Sequence, residues 1–237
     1  MQKTNTQLKR TTFQTSRLLD FCSRKELIAQ TGHEPESWPL VVLKELIDNG
    51  LDACEDAQVA PEITVTIDQQ GITVADNGPG IPSETIDGVL DFGVRVSSRE
   101  AYVAPDRGAQ GNALKTVIAM PFVLDGETGV VEIAAQGKRH RITFQVDQIR
   151  QEPVIDHNSQ PAPNVTTGTT IAVRWPDSAS LILTEARERF LQIADDYTWL
   201  NPHLTLTIEW FGEGTQAKAT ARHWSSSPLK KARFHAA

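Results

Sequence analysis

The sequence predicts an α+β fold, a two-layer α/β sandwich with helices on one face of a mixed, largely antiparallel sheet. Three observations lead to this prediction. Several segments alternate apolar and polar residues like half-buried strands, some of these follow one another as hairpins, and helical segments with one apolar face lie between them. No internal repeat or heptad run is present, which excludes solenoids and coiled coils.

Composition places the chain among soluble globular proteins. It has 237 residues, of which 39% are hydrophobic and 22% charged, so disordered and low-complexity classes are disfavoured. Apolar runs are too short for a membrane span and no secretory leader pattern is present, so we expect a cytoplasmic protein with no membrane partner. Two cysteines are too few for a disulfide framework or a zinc site. The net charge of −7 argues against nonspecific nucleic-acid binding by the overall field, although basic residues collect near both ends.

The first half of the chain predicts an arm, two helices and a hairpin. Residues 1–15 are polar and are expected to form a flexible arm, after which Ser16 is expected to cap a helix that stops at Gly32. Residues 40–57 form the longest clear helix. Residues 62–68 and 72–75 are predicted to pair as strands around a tight turn.

The second half predicts a further set of helices and strands. We expect residues 83–107 to be irregular and an apolar helix to open at 108–111 and run to Met120. The remaining predictions are strands at 130–136 and 140–146, a polar loop at 151–167, a strand at 169–175, a helix at 184–200 and a last strand at 204–210. Order after Gly212 is doubtful.

The long helix carries a polar stripe of Glu45, Asn49 and Asp52. Such a stripe is often only a solvated face. However, Gly50 lowers helix propensity in mid-helix, a cost more natural where backbone or a ligand must approach closely. A carboxylate one turn from an amide also suits activation of water beside Mg²⁺, which binds oxygen ligands and keeps several waters.

Two glycine-bearing loops are further candidates. Residues 76–82 (DNGPGIP) follow a strand, and Asp76 could accept a hydrogen bond from an exocyclic amine such as that of adenine. A plain turn is the alternative. Residues 107–112 (RGAQGN) lead into a helix whose free N–H groups could bind phosphate. Neither the Walker loop nor the G-x-G-x-x-G dinucleotide motif is present.

These segments, in this order, resemble the motifs of the GHKL ATPases, the superfamily of gyrase, MutL, the ninety-kilodalton heat-shock chaperone and sensor histidine kinases. Residues 43–54 (LKELIDNGLDAC) resemble the asparagine box, and 76–82 resemble the first glycine box. Residues 107–112 resemble the later glycine box and 168–171 (GTTI) the final Gly-Thr strand. The resemblance covers residues 36–212 and implies the Bergerat ATP-binding fold.

Within the superfamily, the motifs are most similar to those of topoisomerase VI B subunits. Residues 44–55 resemble that family's K-E-L-V-D-N-S-L-D-A-C-E, residues 107–111 its R-G-Q-Q-G, and the sequence NPH at 201–203 also recurs. One departure is Ala113, which stands where the later box usually has a second glycine, and this leaves the phosphate geometry open.

The resemblance implies roles for individual residues. Glu45 would be the general base and Asn49 the Mg²⁺ ligand, while Asp76 would bind the adenine amine with support from Thr169. Asp52 would order the helix and its water network rather than touch nucleotide. The adenine pocket and phosphate contacts would be completed by Gly80, Ile81, Gly108, Gln110, Gly111 and Asn112, with Lys115 as a phosphate candidate that could equally be an exposed helix lysine.

The resemblance also implies an ATP-gated dimerisation clamp that binds and hydrolyses Mg-ATP. This clamp would drive a DNA-cleaving partner similar to the A protein of topoisomerase VI, and the chain would contact DNA only through that complex. The alternatives are a GHKL ATPase of another system, such as a MORC-like or host-defence ATPase, a nucleotide-binding module that does not hydrolyse, and a histidine kinase, for which no phosphoacceptor helix is seen. Residues 1–35 would be an arm and strap helix, 36–212 the ATP-binding domain and 213–237 a tail. Because topoisomerase VI B subunits continue into a transducer domain, we expect a fragment or a minimal relative.

Overall fold

The computed structural model describes residues 21–92, 113–147, 149–150 and 152–212, together with the backbone of 215–220. Side chains of 211, 212 and 215–220 lie outside this description. The helices are α1 (Arg24–Thr31), α2 (Trp38–Asp56), α3 (Ser83–Leu90), α4 (Ala113–Asp125), α5 (Ser180–Glu185) and α6 (Arg187–Leu200). The strands are β1 (Glu62–Asp68), β2 (Gly71–Ala75), β3 (Gly129–Ala135), β4 (Lys138–Asp147), β5 (Glu152–Pro161), β6 (Thr169–Arg174), β7 (Thr205–Gly212) and β8 (Thr215–Thr220).

The strands form one mixed sheet in the order β5-β4-β3-β6-β2-β1-β7-β8. Of the seven strand pairings in the described part of the chain, β1 with β7 is parallel and the others are antiparallel. Alternate residues of β1, namely Ile63, Val65 and Ile67, are at most 2% exposed and belong to the main core. This alternation places the apolar side chains of the strands under the helices, so the predicted two-layer α+β sandwich is confirmed.

Helix α2 is the central helix of this layer. It begins two residues before the predicted start, with Pro39 in its first turn, where the missing N–H of proline costs no hydrogen bond. Trp38, Leu43, Ile47 and Leu51 are fully buried along its length. The opposite stripe is more polar, with Glu45 half-buried and Asn49 exposed. The helix therefore presents both functional candidates near solvent from a rigid, buried element.

The N-terminal helix begins later than predicted. The expected cap Ser16 lies outside the described residues, but Phe21 and Cys22, which we placed in the helix, precede α1. Ser23 caps α1 instead, because its side chain accepts the N–H of Glu26 at 3.2 Å. The predicted stop at Gly32 is confirmed by its left-handed conformation, with φ of 70°.

Two segments predicted to lack regular structure are regular. Residues 83–90, expected to be irregular, form α3, where burial of Ile86 and Val89 offsets the low helix propensity of Gly88. Residues 152–161, expected to be a polar loop, form the edge strand β5 and pair along their whole length with β4. Prolines are tolerated in this strand because an edge strand has N–H positions that need no ladder bond.

Three element boundaries also differ from the predictions. Helix α4 continues past Met120 through Pro121 to Asp125, because buried Phe122 extends its apolar face. The helix predicted over 184–200 is divided at Ala186 into α5 and α6. Strand β8 pairs with β7 inside the segment that was predicted to be a tail. Among the described helices, none is long and apolar enough to cross a membrane.

Candidate nucleotide site

Asp76 stands at the end of β2, where two backbone segments converge. Its N–H donates to the carbonyl oxygen of Thr169 at 2.9 Å. In return Asp76 Oδ1 accepts the N–H of Thr169 at 3.2 Å and the N–H of Gly78 at 2.8 Å. Thr169 is 3% exposed, and its Oγ1 accepts the N–H of Ile81 at 3.2 Å. The adenine-binding candidates Asp76, Ile81 and Thr169 are therefore brought together by direct hydrogen bonds.

The arrangement leaves one oxygen of the Asp76 carboxylate available. Both of the hydrogen bonds accepted by this side chain end on Oδ1, and within the described part of the chain no protein group donates to Oδ2. No side-chain nitrogen or oxygen atom is both buried and unpaired among the described residues, so Oδ2 is accessible. A fixed carboxylate with one available oxygen fits an exocyclic amine donor such as that of adenine.

Glycines lie where these segments touch, and at Gly168 no other residue fits without a clash. Gly168 has φ of 75°, and a Cβ added there would lie 2.0 Å from the carbonyl oxygen of Asp76. A Cβ at Gly50 of α2 would lie 3.2 Å from the Asp76 Cβ and 3.1 Å from Ile63 Cδ1. Gly50 therefore lets α2 approach the end of β2, the close approach that its mid-helix position suggested. Gly80 is buried, and its carbonyl accepts a hydrogen bond from Gln136 at 3.0 Å.

The polar stripe of α2 is only partly a solvated face. The Glu45 side chain is 29% exposed, and its Oε1 lies 3.6 Å from Lys44 Nζ. Burial raises the pKa of the Glu45 carboxyl; Lys44 opposes this increase and the Asp48 charge adds to it. Asn49, one turn further along, is exposed, and Asp52 is half-buried. The stripe thus contains a carboxyl of increased basicity one turn from an accessible amide.

Burial also raises the pKa of the Asp76 carboxyl, and the two N–H groups of Gly78 and Thr169 partly counteract this effect. The folded protein therefore holds this carboxylate at an electrostatic cost. Perturbed ionisable groups concentrate at functional sites, although they also occur in structural networks. Here two such carboxyls, Glu45 and Asp76, lie on adjoining elements.

Lys115 does not have the exposed position that we considered for it. Its side chain is 1% exposed, and Nζ donates to the carbonyl oxygen of Asp91 at 2.6 Å and lies 5.7 Å from the Phe92 ring centroid. Burial lowers the pKa of this amine. The exposed-lysine alternative is therefore wrong, and the phosphate role of Lys115 stays a prediction.

The loop predicted to wrap the phosphates lies outside the described residues. Gly108, Gln110, Gly111 and Asn112 all fall in the range 93–112, so their roles stay predictions. Ala113, the departure from the glycine box, is the first residue of α4.

Two groups of contacts were missed by the sequence interpretation. Asn77 Oδ1 accepts the N–H of Glu62 at 2.9 Å, and its Nδ2 donates to the carbonyl of Ala60 at 3.0 Å, which fastens the glycine loop to the start of β1. These bonds join residues 15 and 17 positions apart in sequence, so the local turn motif does not predict them. Tyr197 of α6 donates to Asp48 Oδ1 at 2.7 Å, and no local pattern predicts this contact.

A family profile matches the part of the chain that contains these elements. The profile of the family described as "Histidine kinase-, DNA gyrase B-, and HSP90-like ATPase" matches residues 36–179, more than half of the chain. These residues include α2, the glycine loop after β2 and the start of β6. The match therefore covers every described element that forms the candidate site.

Curated relatives are B subunits of a DNA topoisomerase. The B subunit of type 2 DNA topoisomerase 6 from Archaeoglobus fulgidus is 29% identical over 71% of this chain and 28% of its own length. Its counterpart from Natronomonas pharaonis is 32% identical over 73% of this chain and 22% of its own length. The chain thus spans about a quarter of the length of these relatives. A solved structure, the N terminal domain of a DNA repair protein, matches with a TM-score of 0.46 and 17% identity over 78% of this chain and 53% of that chain.

The fold, the convergence of Asp76, Thr169 and the Glu45 helix, and the family profile are consistent with one another. The resemblance inferred from the motifs is confirmed at this level. The chain belongs to the family of histidine kinase-, DNA gyrase B- and HSP90-like ATPases.

Proposed function

We propose that this chain binds Mg-ATP between α2 and the loop after β2, hydrolyses it, and acts as an ATP-gated dimerisation clamp. The observation that carries the proposal is the Asp76 carboxylate, in which two backbone N–H groups hold Oδ1 while Oδ2 is available to a ligand. An ionised carboxylate only accepts hydrogen bonds, so it selects a base that presents an amine at this position. Adenine presents such an amine, whereas guanine presents a carbonyl oxygen.

The adenine pocket is completed by neighbouring groups. Thr169 holds the N–H of Ile81 through its Oγ1, so the loop that carries Gly80 and Ile81 is fixed relative to the Asp76 carboxylate. A pre-positioned loop lowers the ordering cost of binding a flat ligand. We propose that Gly80 and Ile81 contact the adenine ring and that Thr169 supports the adenine amine through water.

Glu45 is proposed as the general base for hydrolysis. Burial raises its pKa, which increases its tendency to accept a proton from an attacking water. Asn49 is proposed to supply an oxygen ligand to Mg²⁺; when bound, the metal neutralises charge on the phosphates. No cluster of three or more His, Cys, Asp or Glu side chains suited to a metal occurs in the described ranges. Mg²⁺ is commonly held by one or two protein oxygens together with substrate phosphates and water.

The phosphate contacts are proposed for residues at the start of α4 and before it. Helix N-termini bind phosphate through free N–H groups and the helix dipole. The residues proposed for this role are Gly108, Gln110, Gly111, Asn112 and Lys115.

Dimerisation and partner choice are proposed from the similarity to B subunits of topoisomerase 6 over 71–73% of this chain. Residues 1–35 would serve as an exchanged strap. The partner would be a DNA-cleaving protein similar to the A protein of topoisomerase VI, with DNA reached through the complex.

Size-exclusion light scattering tests the clamp. The chain is measured without nucleotide, with ADP, and with a nonhydrolysable ATP analogue plus Mg²⁺, and the D76N variant is measured beside it. We expect a dimer for the unmodified chain with the analogue alone and a monomer for D76N under the same conditions. If the analogue binds by calorimetry and the mass stays that of a monomer, the clamp is refuted while the nucleotide site stands.

The partner is tested by adding a DNA-cleaving protein of this A type from the same organism, together with supercoiled DNA. We expect cleavage that depends on both this chain and the ATP analogue. Cleavage that is indifferent to this chain would contradict the proposed partnership.

A further inference from the structure

A buried carboxylate lies one turn after the proposed general base. Asp48 is 8% exposed, yet both of its oxygen atoms are hydrogen-bonded. Tyr197 of α6 donates to Oδ1 at 2.7 Å, and Lys44 of α2 donates to Oδ2 at 2.7 Å. A buried charge is tolerated when it is paired and hydrogen-bonded, so these two donors keep Asp48 in place.

Lys44 is shared between two carboxylates. Its Nζ lies 2.7 Å from Asp48 Oδ2 and 3.6 Å from Glu45 Oε1. The shorter distance is a hydrogen bond and the longer one is not. Lys44 therefore belongs mainly to Asp48, and Glu45 keeps its oxygen atoms available for a proton.

From this geometry we infer that Asp48 and Tyr197 are positioning residues for Glu45, which act by holding Lys44 away from it. The inference rests on the proposed function, because Glu45 must first be the base. If Asp48 lost its charge, the Lys44 ammonium would move to the remaining carboxylate, since opposite charges at this distance attract. The present ion pair between Lys44 and Glu45, at 3.6 Å, would then become closer, and Glu45 would accept a proton less readily.

Tyr197 connects this arrangement to another helix. It lies on α6, 149 positions from Asp48 in sequence, and its hydroxyl fixes the orientation of the Asp48 carboxylate. Without the hydroxyl, Asp48 could rotate and hold Lys44 less firmly. We therefore expect the Y197F variant to lower kcat as D48N does, but by a smaller factor.

A network that only stabilises the packing of α2 against α6 would explain the same contacts. The two explanations differ in what happens when Lys44 is also removed. If Asp48 acts by restraining Lys44, the K44Q substitution should restore part of the activity that D48N loses. If Asp48 acts only through packing, removal of a second partner should not restore activity.

The test measures steady-state ATPase activity and ATP affinity for the 237-residue chain. We expect D48N to lower kcat by about tenfold, less than the about 10²- to 10⁴-fold that a general base contributes, with the Kd for ATP changed less than about twofold. The D48N/K44Q double variant should recover at least about threefold in kcat, the smallest change we would accept as rescue. D196N is the matched control, because Asp196 is an exposed carboxylate on α6 bonded to Gln192, and it should leave kcat unchanged.

The E45Q variant separates failure of this inference from failure of the proposed function. If the unmodified chain and E45Q hydrolyse ATP equally, Glu45 is not the base and the proposed function fails. If E45Q is inactive and D48N is folded with normal kcat, only the inference fails. It also fails if D48N and D48N/K44Q lose activity equally.

Y197F keeps the test decisive if D48N does not fold. The inference is supported if Y197F has a reduced kcat and an unchanged Kd for ATP, and if the Y197F/E45Q double variant is no less active than E45Q alone. Normal kcat in a folded Y197F variant overturns it.

Discussion

Substitution of Asp76 by asparagine is the perturbation whose effect the structure defines most closely. The amide can keep an oxygen at the Oδ1 position, where it still accepts the N–H groups of Gly78 and Thr169. The other position then carries an NH₂ group, which donates and therefore opposes the adenine amine. A hydrogen bond to a charged group contributes about 1.5–3 kcal/mol. Because 1.4 kcal/mol is about a tenfold change in affinity, D76N should weaken ATP binding about 10- to 150-fold.

The same substitution should not weaken the fold. Burial raises the pKa of Asp76 above that in the unfolded chain, so the ionised carboxylate costs free energy in the folded state at neutral pH. This cost disappears as pH falls from the folded-state pKa to the unfolded-state pKa. Asparagine has no charge to bury, so we expect the free energy of unfolding of D76N at pH 7 to be no lower than that of the unmodified chain.

Isothermal titration calorimetry with ATP and ADP, together with urea unfolding, measures both effects. The matched control is D68N, because Asp68 Oδ1 also accepts two backbone N–H groups, those of Gln70 at 2.7 Å and Gly71 at 3.1 Å. D68N removes a charge from a similar turn of the same sheet and should leave ATP affinity unchanged. If the affinity of D76N for ATP is within about twofold of that of the unmodified chain, the loss is far smaller than expected for such a hydrogen bond. That result would refute the role of Asp76 as the acceptor for the adenine amine.

Three further outcomes are expected. In urea unfolding, G168A should lower the free energy of unfolding by more than the about 1–2 kcal/mol that left-handed strain costs, because its Cβ would also clash with the Asp76 carbonyl. G32A is the control for strain alone, because Gly32 has a similar φ and an added Cβ there would have nothing within 4 Å. Equal losses in the two variants would contradict the clash. Burial lowers the pKa of His140, so the free energy of unfolding should fall as pH drops from the unfolded-state pKa of about 6.5 to the lower folded-state pKa. The H140Q variant should lose less stability over this pH range, whereas H203Q, a control at an exposed histidine, should behave like the unmodified chain. An unchanged pH profile for H140Q would contradict this role of His140. Chelation of Mg²⁺ by EDTA should abolish turnover in a phosphate-release assay, and turnover that survives would contradict a metal role.

Elements with a strong local pattern could be predicted from the sequence. β1 has the predicted bounds because Ile63, Val65 and Ile67 alternate with polar residues and a turn follows directly. The end of α1 was predictable because Gly32 can adopt the left-handed conformation. By contrast β5 is an edge strand with polar residues, so its formation depends on pairing with β4 rather than on an apolar alternation.

The site could be predicted from the sequence only in part. Asp76 and Thr169 were named through the resemblance to known motifs, but what joins them is the pairing of Ala75 with Thr170 across β2 and β6, which no local pattern reveals. The contact between Asp48 and Tyr197 likewise depends on how two helices pack. Sequence patterns report local periodicity, and contacts between distant segments follow from the completed fold.

Single-turnover hydrolysis of ATP by the unmodified chain and by E45Q, with Mg²⁺ and protein in excess over ATP, tests the central claim most directly. We predict that both proteins bind ATP with similar affinity, that the unmodified chain converts it to ADP and phosphate, and that E45Q is slower by about 10²–10⁴. Equal hydrolysis by the two proteins, or no ATP binding by the unmodified chain, would contradict it.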